Sequence, residues 1–307
     1  MLDILGKRYL FFGISILVIV TGMVMLIIGG GLPFSIDFTG GSMLELKLSQ
    51  GTLPASDAII SFFQEHGVTD MTLKTSGTDT IIIQSQYIEE DARAVIIEDF
   101  ETQFSVVTEI ISADNVGPSI GKEVTARAAQ AVAVAALGVI LYITFAFRGI
   151  AHATRYGICA IVAMLHDVLV VISVTAIGGT IFGWQFDSLT LTALLTVIGF
   201  SVQDKIVVFD RIRENNRIFR KISFEQLANH SIVQTLGRSI NTQLMTSEFM
   251  LLALALVGGV TLREFAIILL VGLFSGTYSS IFIAAPILVI WENQEWKTWF
   301  KKGQATA

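Results

Sequence analysis

Charge is scarce in this chain. Only 15% of its 307 residues are Asp, Glu, Lys or Arg, against about 25% in an average soluble protein. With 53% hydrophobic residues and a mean hydropathy of +0.69, that deficit excludes an ordinary water-soluble domain and points to a membrane protein. Cysteine is scarcer still, with Cys159 alone inside an apolar run. A single thiol excludes a disulfide framework and an intrachain CxxC metal site, and reads as a small core residue. The chain also lacks HExxH, a P-loop and GxSxG, so the metalloprotease, nucleotide-hydrolysing and serine-hydrolase chemistries have no foothold. An intramembrane aspartyl protease would need Asp167 and Asp204 apposed, and the residues around them do not support it. No enzymatic activity, cofactor or bound metal is expected, and no nucleic-acid partner.

What the chain does have is long apolar segments. Six are expected to cross a bilayer, at Tyr9–Ile28, Ala126–Phe147, Gly157–Phe182, Leu189–Phe209, Ile240–Val257 and Phe265–Trp291. About 20 apolar residues suffice to span the hydrocarbon. The first segment is too long for a signal-peptide core and reads as a retained anchor. Basic residues alternate with these spans. Lys7 and Arg8 precede the first, and Arg148 and Arg155 separate the second and third. Arg211, Arg213, Arg217, Arg220 and Lys221 follow the fourth, and Lys297, Lys301 and Lys302 follow the sixth. The other side carries only Arg263 in its short loops. The positive-inside rule therefore puts both termini in the cytoplasm of a multi-pass protein of the cytoplasmic membrane. Trp291, Trp296 and Trp299, mixed with lysine, suit the inner interface.

The chain divides into residues 1–32 with the first helix, 33–122 outside the membrane, 123–292 with the remaining helices, and a tail at 293–307. A basic cytoplasmic segment is expected at 210–236. Residues 33–122 hold about half of all the acids. Here "SMLELKLS" alternates with period two, as a half-buried strand does. "PASDAIISFFQEHG" has a helix start at Pro54 and Ser56 and a stop at Gly67. "MTLKTS" and "TIIIQSQY" are strands around a turn at Gly77. "EEDARAVIIEDFETQF" is a helix with acids in its first turn, and "SVVTEIISA" a last strand. The order β-α-β-β-α-β predicts a small α+β, ferredoxin-like domain. His66, beside Gly67, reads as a helix-end polar residue.

Ionisable residues inside apolar spans are costly and mark functional sites by default. Gln203, Asp204 and Lys205 form such a row. Asp204 lies seven residues before Arg211, so about 10 Å inside the cytoplasmic edge. It serves either ion coupling or an interhelical ion pair. Lys205 either snorkels to the cytoplasm or finds a buried partner. Arg238, Asn241, Met245 and Glu248 follow spacings of three, four and three, a polar stripe on one helix face. Antiparallel packing predicts two pairs, Asp204 with Arg238 and Lys205 with Glu248. His166 and Asp167, in the third span, either join a proton relay or bond a neighbouring helix. Asp37, Gly40 and Gly41 are expected to shape the junction between the first span and the first strand.

Six stretches together resemble the SecD/SecF family of the Sec protein-export machinery, on its SecF side, within the RND transporter superfamily. They are "IDFTGG" after span one (with Asp37, Gly40 and Gly41), "VGPSIGKE" before span two (with Gly117 and Pro118) and His166-Asp167 in span three. "VVFDRIREN" closes span four, with Asp210 and Arg211. "RSINT" opens span five, and "FSGTYSSIFIAAPIL" makes span six. The resemblance covers nearly the whole chain. It implies half of an RND-type membrane fold and a SecD-like partner. It also implies work beside a SecY/SecE/SecG channel and a YidC-type insertase on unfolded exported polypeptide, driven by a proton or sodium gradient. It assigns ion coupling to Asp204 and Arg238. The family usually has Asn-Asp-Thr where this chain has Gln203-Asp204-Lys205, and no acid at Glu248. The alternative functions are half of an RND exporter for lipids or small molecules, and a non-transporting scaffold for membrane insertion.

Overall fold

The structure is a computed structural model and describes residues 3–76, 79–148, 153–219, 221–243 and 249–299. The turn at Gly77, Arg220, Met245, Glu248, Lys301 and Lys302 lie outside the described residues. Two units emerge, one of 33–130 with 185–188, the other of 1–32, 131–184 and 189–307.

The first unit is built on a sheet. It opens with a single turn, α2 (Ile36–Thr39), then β1 (Gly41–Gln50), α3 (Ser56–Glu65), β2 (Thr72–Ser76), β3 (Thr80–Ser85), α4 (Glu90–Phe104) and β4 (Val107–Val116). The sequence order of strands and helices is as the alternation and cap residues predict. The sheet order is β2-β3-β1-β4, and every neighbouring pair is antiparallel. Leu44 and Leu46 face Ile83 and Ile81 across the β1–β3 ladder. They pack with Phe62, Phe63 and Phe100 from the two helices into a core sealed from solvent. His66 follows α3, its Nδ1 2.8 Å from the Phe62 carbonyl oxygen and its Nε2 3.3 Å from Asp99, the helix-end role expected of it.

The second unit is helical: α1 (Arg8–Ile28), α6 (Ala153–Phe182), α7 (Ser188–Ile218), α8 (Phe224–Gln243), α9 (Phe249–Val257), α10 (Val260–Ser279), α11 (Ala285–Glu292) and α12 (Trp296–Trp299). The long α5 (Pro118–Ala146) leads into it. One π-type turn, Ser280–Ala284, joins α10 to α11. Among the described residues, five stretches are long and apolar enough to cross a membrane: Leu5–Ile28, Pro118–Ala146, Thr154–Phe182, Ser188–Ile218 and Leu262–Glu292. The sixth expected span, Ile240–Val257, falls on the end of α8, on α9 and on residues 244–248, which lie outside the described set. The basic stretch expected at 210–236 is largely helical, as the end of α7 and most of α8.

Close approach in the helical unit rests on small residues. A Cβ on Gly22 of α1 would land 2.1 Å from the Ser173 Cβ of α6. One on Gly272 of α10 would land 2.3 Å from a Val197 methyl of α7. Gly276, one turn on, lies against Ser201. Helices in lipid pack through such surfaces because lipid tails provide no hydrophobic push.

Candidate functional site within the helix bundle

Position 167 in α6 carries the best-satisfied buried carboxylate of the bundle. Five donors converge on it from three helices. His166 Nδ1 lies 3.0 Å from Oδ1, and Ser275 of α10 donates to the same oxygen at 2.7 Å. Oδ2 accepts from Ser201 of α7 at 2.6 Å, Ser279 of α10 at 2.6 Å and Lys205 Nζ at 2.8 Å. Local helical geometry explains the convergence. Ser275 and Ser279 are four residues apart on α10, as are Ser201 and Lys205 on α7, so each pair shares a face. The Asp167 side chain is 1% exposed and that of Lys205 0%. Two opposite charges buried together with their remaining hydrogen-bonding capacity used is the arrangement in which a buried ion pair is tolerated.

Lys205 is therefore not snorkelling to the cytoplasm: its partner is the buried Asp167, and Glu248, the partner expected for it, lies outside the described residues. Its three protons are taken by Asp167 Oδ2, the Ser201 carbonyl oxygen at 3.2 Å and the Ser201 hydroxyl. Lys205 lies on the α7 face turned to α6 and α10. Asp204, one residue earlier and 7% exposed, accepts a 3.0 Å hydrogen bond from Thr277 of α10. That bond replaces the expected pair with Arg238, which is exposed. Arg238 instead lines a cavity of about 420 Å³ between α7 and α8 with Asp210, Arg211, Glu214 and Gln234. Gln203 and Asn241 are exposed.

Of the two readings the sequence allows, the structure shows the bond to neighbouring helices: Asp167 accepts from α7 and α10, and His166 lies against Asp167. His166 Nε2 is buried without a hydrogen-bond partner among the described residues. The imidazole stacks on Tyr278, whose hydroxyl donates to the Phe11 carbonyl of α1 at 2.8 Å.

The other motif residues make local contacts. Asp210 pairs with Arg213 at 3.0 Å, and Arg211 with Glu214 and Gln234. Asn215 donates to Ser231 and Gln234, so the end of α7 is sewn to α8. Asp37 accepts from both the backbone N–H and the hydroxyl of Ser188, at 2.8 and 2.7 Å. It thus caps the first residue of α7, a role beyond the junction expected of it. Gly40 and Gly41, both at positive φ, let β1 start against its neighbours. A Cβ on Gly40 would meet the Pro118 Cα at 2.8 Å, and one on Gly41 the Ser85 carbonyl oxygen at 2.4 Å. Gly117 immediately precedes Pro118, the first residue of α5.

Sequence reasoning missed Ser201, Ser275, Thr277 and Ser279. The signal was present as hydroxyls at i and i+4 in α10, Ser275 and Ser279, and as Ser201 four residues before Lys205 in α7, but hydroxyls in such spans commonly bond only their own helix.

Residues 96–294 match the C-terminal family of the protein export membrane proteins SecD/SecF, and residues 26–52 match the SecD/SecF GG motif. The chain is 61% identical to the protein translocase subunit SecF of Anaerolinea thermophila, covering 100% of this chain and 99% of that one. It is 43% identical to the protein translocase subunit SecF of Thermobaculum terrenum at the same coverage. The crystal structure of SecDF from Thermus thermophilus, described as a translocon-associated membrane protein, superposes with a TM-score of 0.82 at 30% identity over 95% of this chain. This chain spans 39% of that longer protein. A SecDF structure in a super-membrane-facing form superposes with a TM-score of 0.67. On the extent of these matches, the chain belongs to the SecD/SecF family of protein-export membrane proteins.

Proposed function

We propose that this chain is an auxiliary subunit of the Sec protein-export machinery. With a SecD-like partner it promotes movement of polypeptides across the cytoplasmic membrane, next to a SecY-type channel, at the expense of a proton gradient. The observation that carries the coupling is Asp204. A carboxylate stands in a membrane-spanning helix, held by one hydroxyl across the α7–α10 contact, one residue from the Asp167–Lys205 pair. The neighbouring charges already neutralise each other, so a proton on Asp204 changes the net charge of the site. Its loss or gain alters what Thr277 can donate to, which links protonation to the α7–α10 contact. Arg238, which lines the cavity between α7 and α8, is read as the proton's exit toward the cytoplasm.

The sheet unit is read as a ferredoxin-like domain outside the membrane, its strand order being that of the split βαβ arrangement. Residues 240–257 are read as a sixth span, with both termini cytoplasmic. Cysteines placed at Asp79 and Asp187 are expected to react with an impermeant thiol reagent from outside intact cells, and one at Asn216 is not. Labelling of position 216 would overturn the orientation.

The coupling is tested by export into membrane vesicles with and without a proton gradient. Asp204→Asn is expected to remove the gradient-dependent part of export while leaving the protein in the membrane with its partner. Unchanged stimulation would sink the coupled reading and favour a non-transporting scaffold.

A further inference from the structure

The ammonium of Lys205 sits in a cage made only of oxygen. A carboxylate oxygen of Asp167 comes from α6, and a hydroxyl and a main-chain carbonyl of Ser201 come from α7. Ser279 of α10 closes on the same carboxylate oxygen. One carboxylate with hydroxyl and carbonyl oxygens is the ligand set a hard cation takes. Membrane transporters assemble such sets from side chains and carbonyls within the bundle. The cage needs one positive charge, because Asp167 buried without one would be an uncompensated anion.

We propose that Lys205 is a tethered cation that fills an alkali-cation site from within. By occupying the cage it decides that this chain works with protons and not with sodium. The choice of ion rests on the coupled reading given above; the cage itself does not. Lys205 here is a specificity-determining residue. Its truncation to alanine leaves one net negative charge in the cage, three oxygens without this donor, and the space of the ammonium and the methylenes that carried it.

The test is thermal unfolding of the full-length chain in sodium, lithium and choline chloride at equal ionic strength. The unaltered chain is expected to melt at one temperature in all three. Lys205→Ala is expected to melt higher in sodium or lithium than in choline, by about 3 °C or more, as for a ligand that binds only the folded state. Lys205→Met removes the same charge but fills the space, and is expected to ignore the cation. Asp167→Asn combined with Lys205→Ala removes the need for a cation and is expected to ignore it too. An indifferent Lys205→Ala variant overturns the proposal. So does a Lys205→Met variant that responds equally, which would mean general screening, or a response of the unaltered chain. Where Lys205→Ala gives no folded protein, Lys205→Ser, which returns a hydroxyl, is scored the same way. If neither variant gains folded yield or melting temperature from sodium, the cage is not a cation site. Proton-driven export is scored in a separate assay, so the cage and the coupled reading can fail independently.

Discussion

At the centre of the sheet unit lie Phe62, Phe63 and Phe100; at the centre of the helical unit lie Asp167, Lys205 and three serines. Each unit buries what its surroundings would least tolerate on the surface. In water, burying apolar area is the driving force, and an aromatic cluster is the direct means. In lipid, apolar area gains nothing by being covered, so α1 and α5 leave leucines, valines and isoleucines widely exposed. Contact between spans comes instead from small residues and from polar groups with no alternative partner. A charge in the helical unit, costly in lipid, is driven to the bundle interior and to a partner there. A charge buried in the sheet unit would need a special reason.

The contrast can be broken most severely at Asp167. Asp167→Leu leaves Lys205 buried and unpaired, at an expected cost of about 3–5 kcal/mol, seen as loss of monodisperse protein after extraction. Adding Lys205→Met should restore most of the yield; simple addition of the two losses would mean that the residues are not coupled. In the sheet unit the matching test is Leu46→Ala, at a fully buried position opposite Ile81. A cost of about 2–5 kcal/mol is expected, confined to amide exchange of the sheet and its two helices. Faster exchange in α6 or α7 would show that the units do not keep separate stability.

A smaller effect sharpens the role of close packing. Gly272→Ala drives a methyl into Val197, a stiff β-branched neighbour, and should cost about 1–3 kcal/mol. The same substitution at Gly138, where the space is open, should be neutral or slightly stabilising. Equal melting temperatures for the two variants would remove the close-packing account. The smallest effect belongs to Thr277→Val, which removes the hydroxyl from Asp204 while keeping the shape. Interhelical hydrogen bonds in membranes average about 0.6 kcal/mol, so stability should hardly move while gradient-stimulated export falls. A normal export response would detach Thr277 from coupling.

Much of the molecule was legible before its structure. Five of the spans follow from runs of apolar residues, and the sheet unit's element order from alternation and turn residues, because both are local signals. Asp204 could be singled out because a carboxylate in an apolar run is conspicuous in itself. Its partner could not, because the choice among Arg238, Thr277 and Lys205 depends on how α7 is rotated against α8 and α10. Charge balance points Lys205 to Glu248, yet Asp167, thirty-eight positions earlier, balances it equally well on paper. What brings Asp167 to it is the shared face of Ser201 and Lys205 toward α6, which sequence spacing does not reveal. Asp37 shows the same limit, since its partner Ser188 lies 151 positions away.

Biosynthesis meets the Asp167–Lys205 pair before folding does. Residues 183–187 are all that separate α6 from α7, so the ribosome delivers the two spans in quick succession. Released into lipid singly, α6 would carry a bare aspartate, and α7 a lysine beside another aspartate. Each costs about 2.5–3.5 kcal/mol near the middle of a helix. Entering as a hairpin, the two spans bring the lysine to the aspartate while both are still leaving the insertion machinery, and α7, the least apolar of the five, crosses with its main penalty already cancelled. α6 and α7 are thus expected to enter the membrane together, as one hairpin closed by the ion pair.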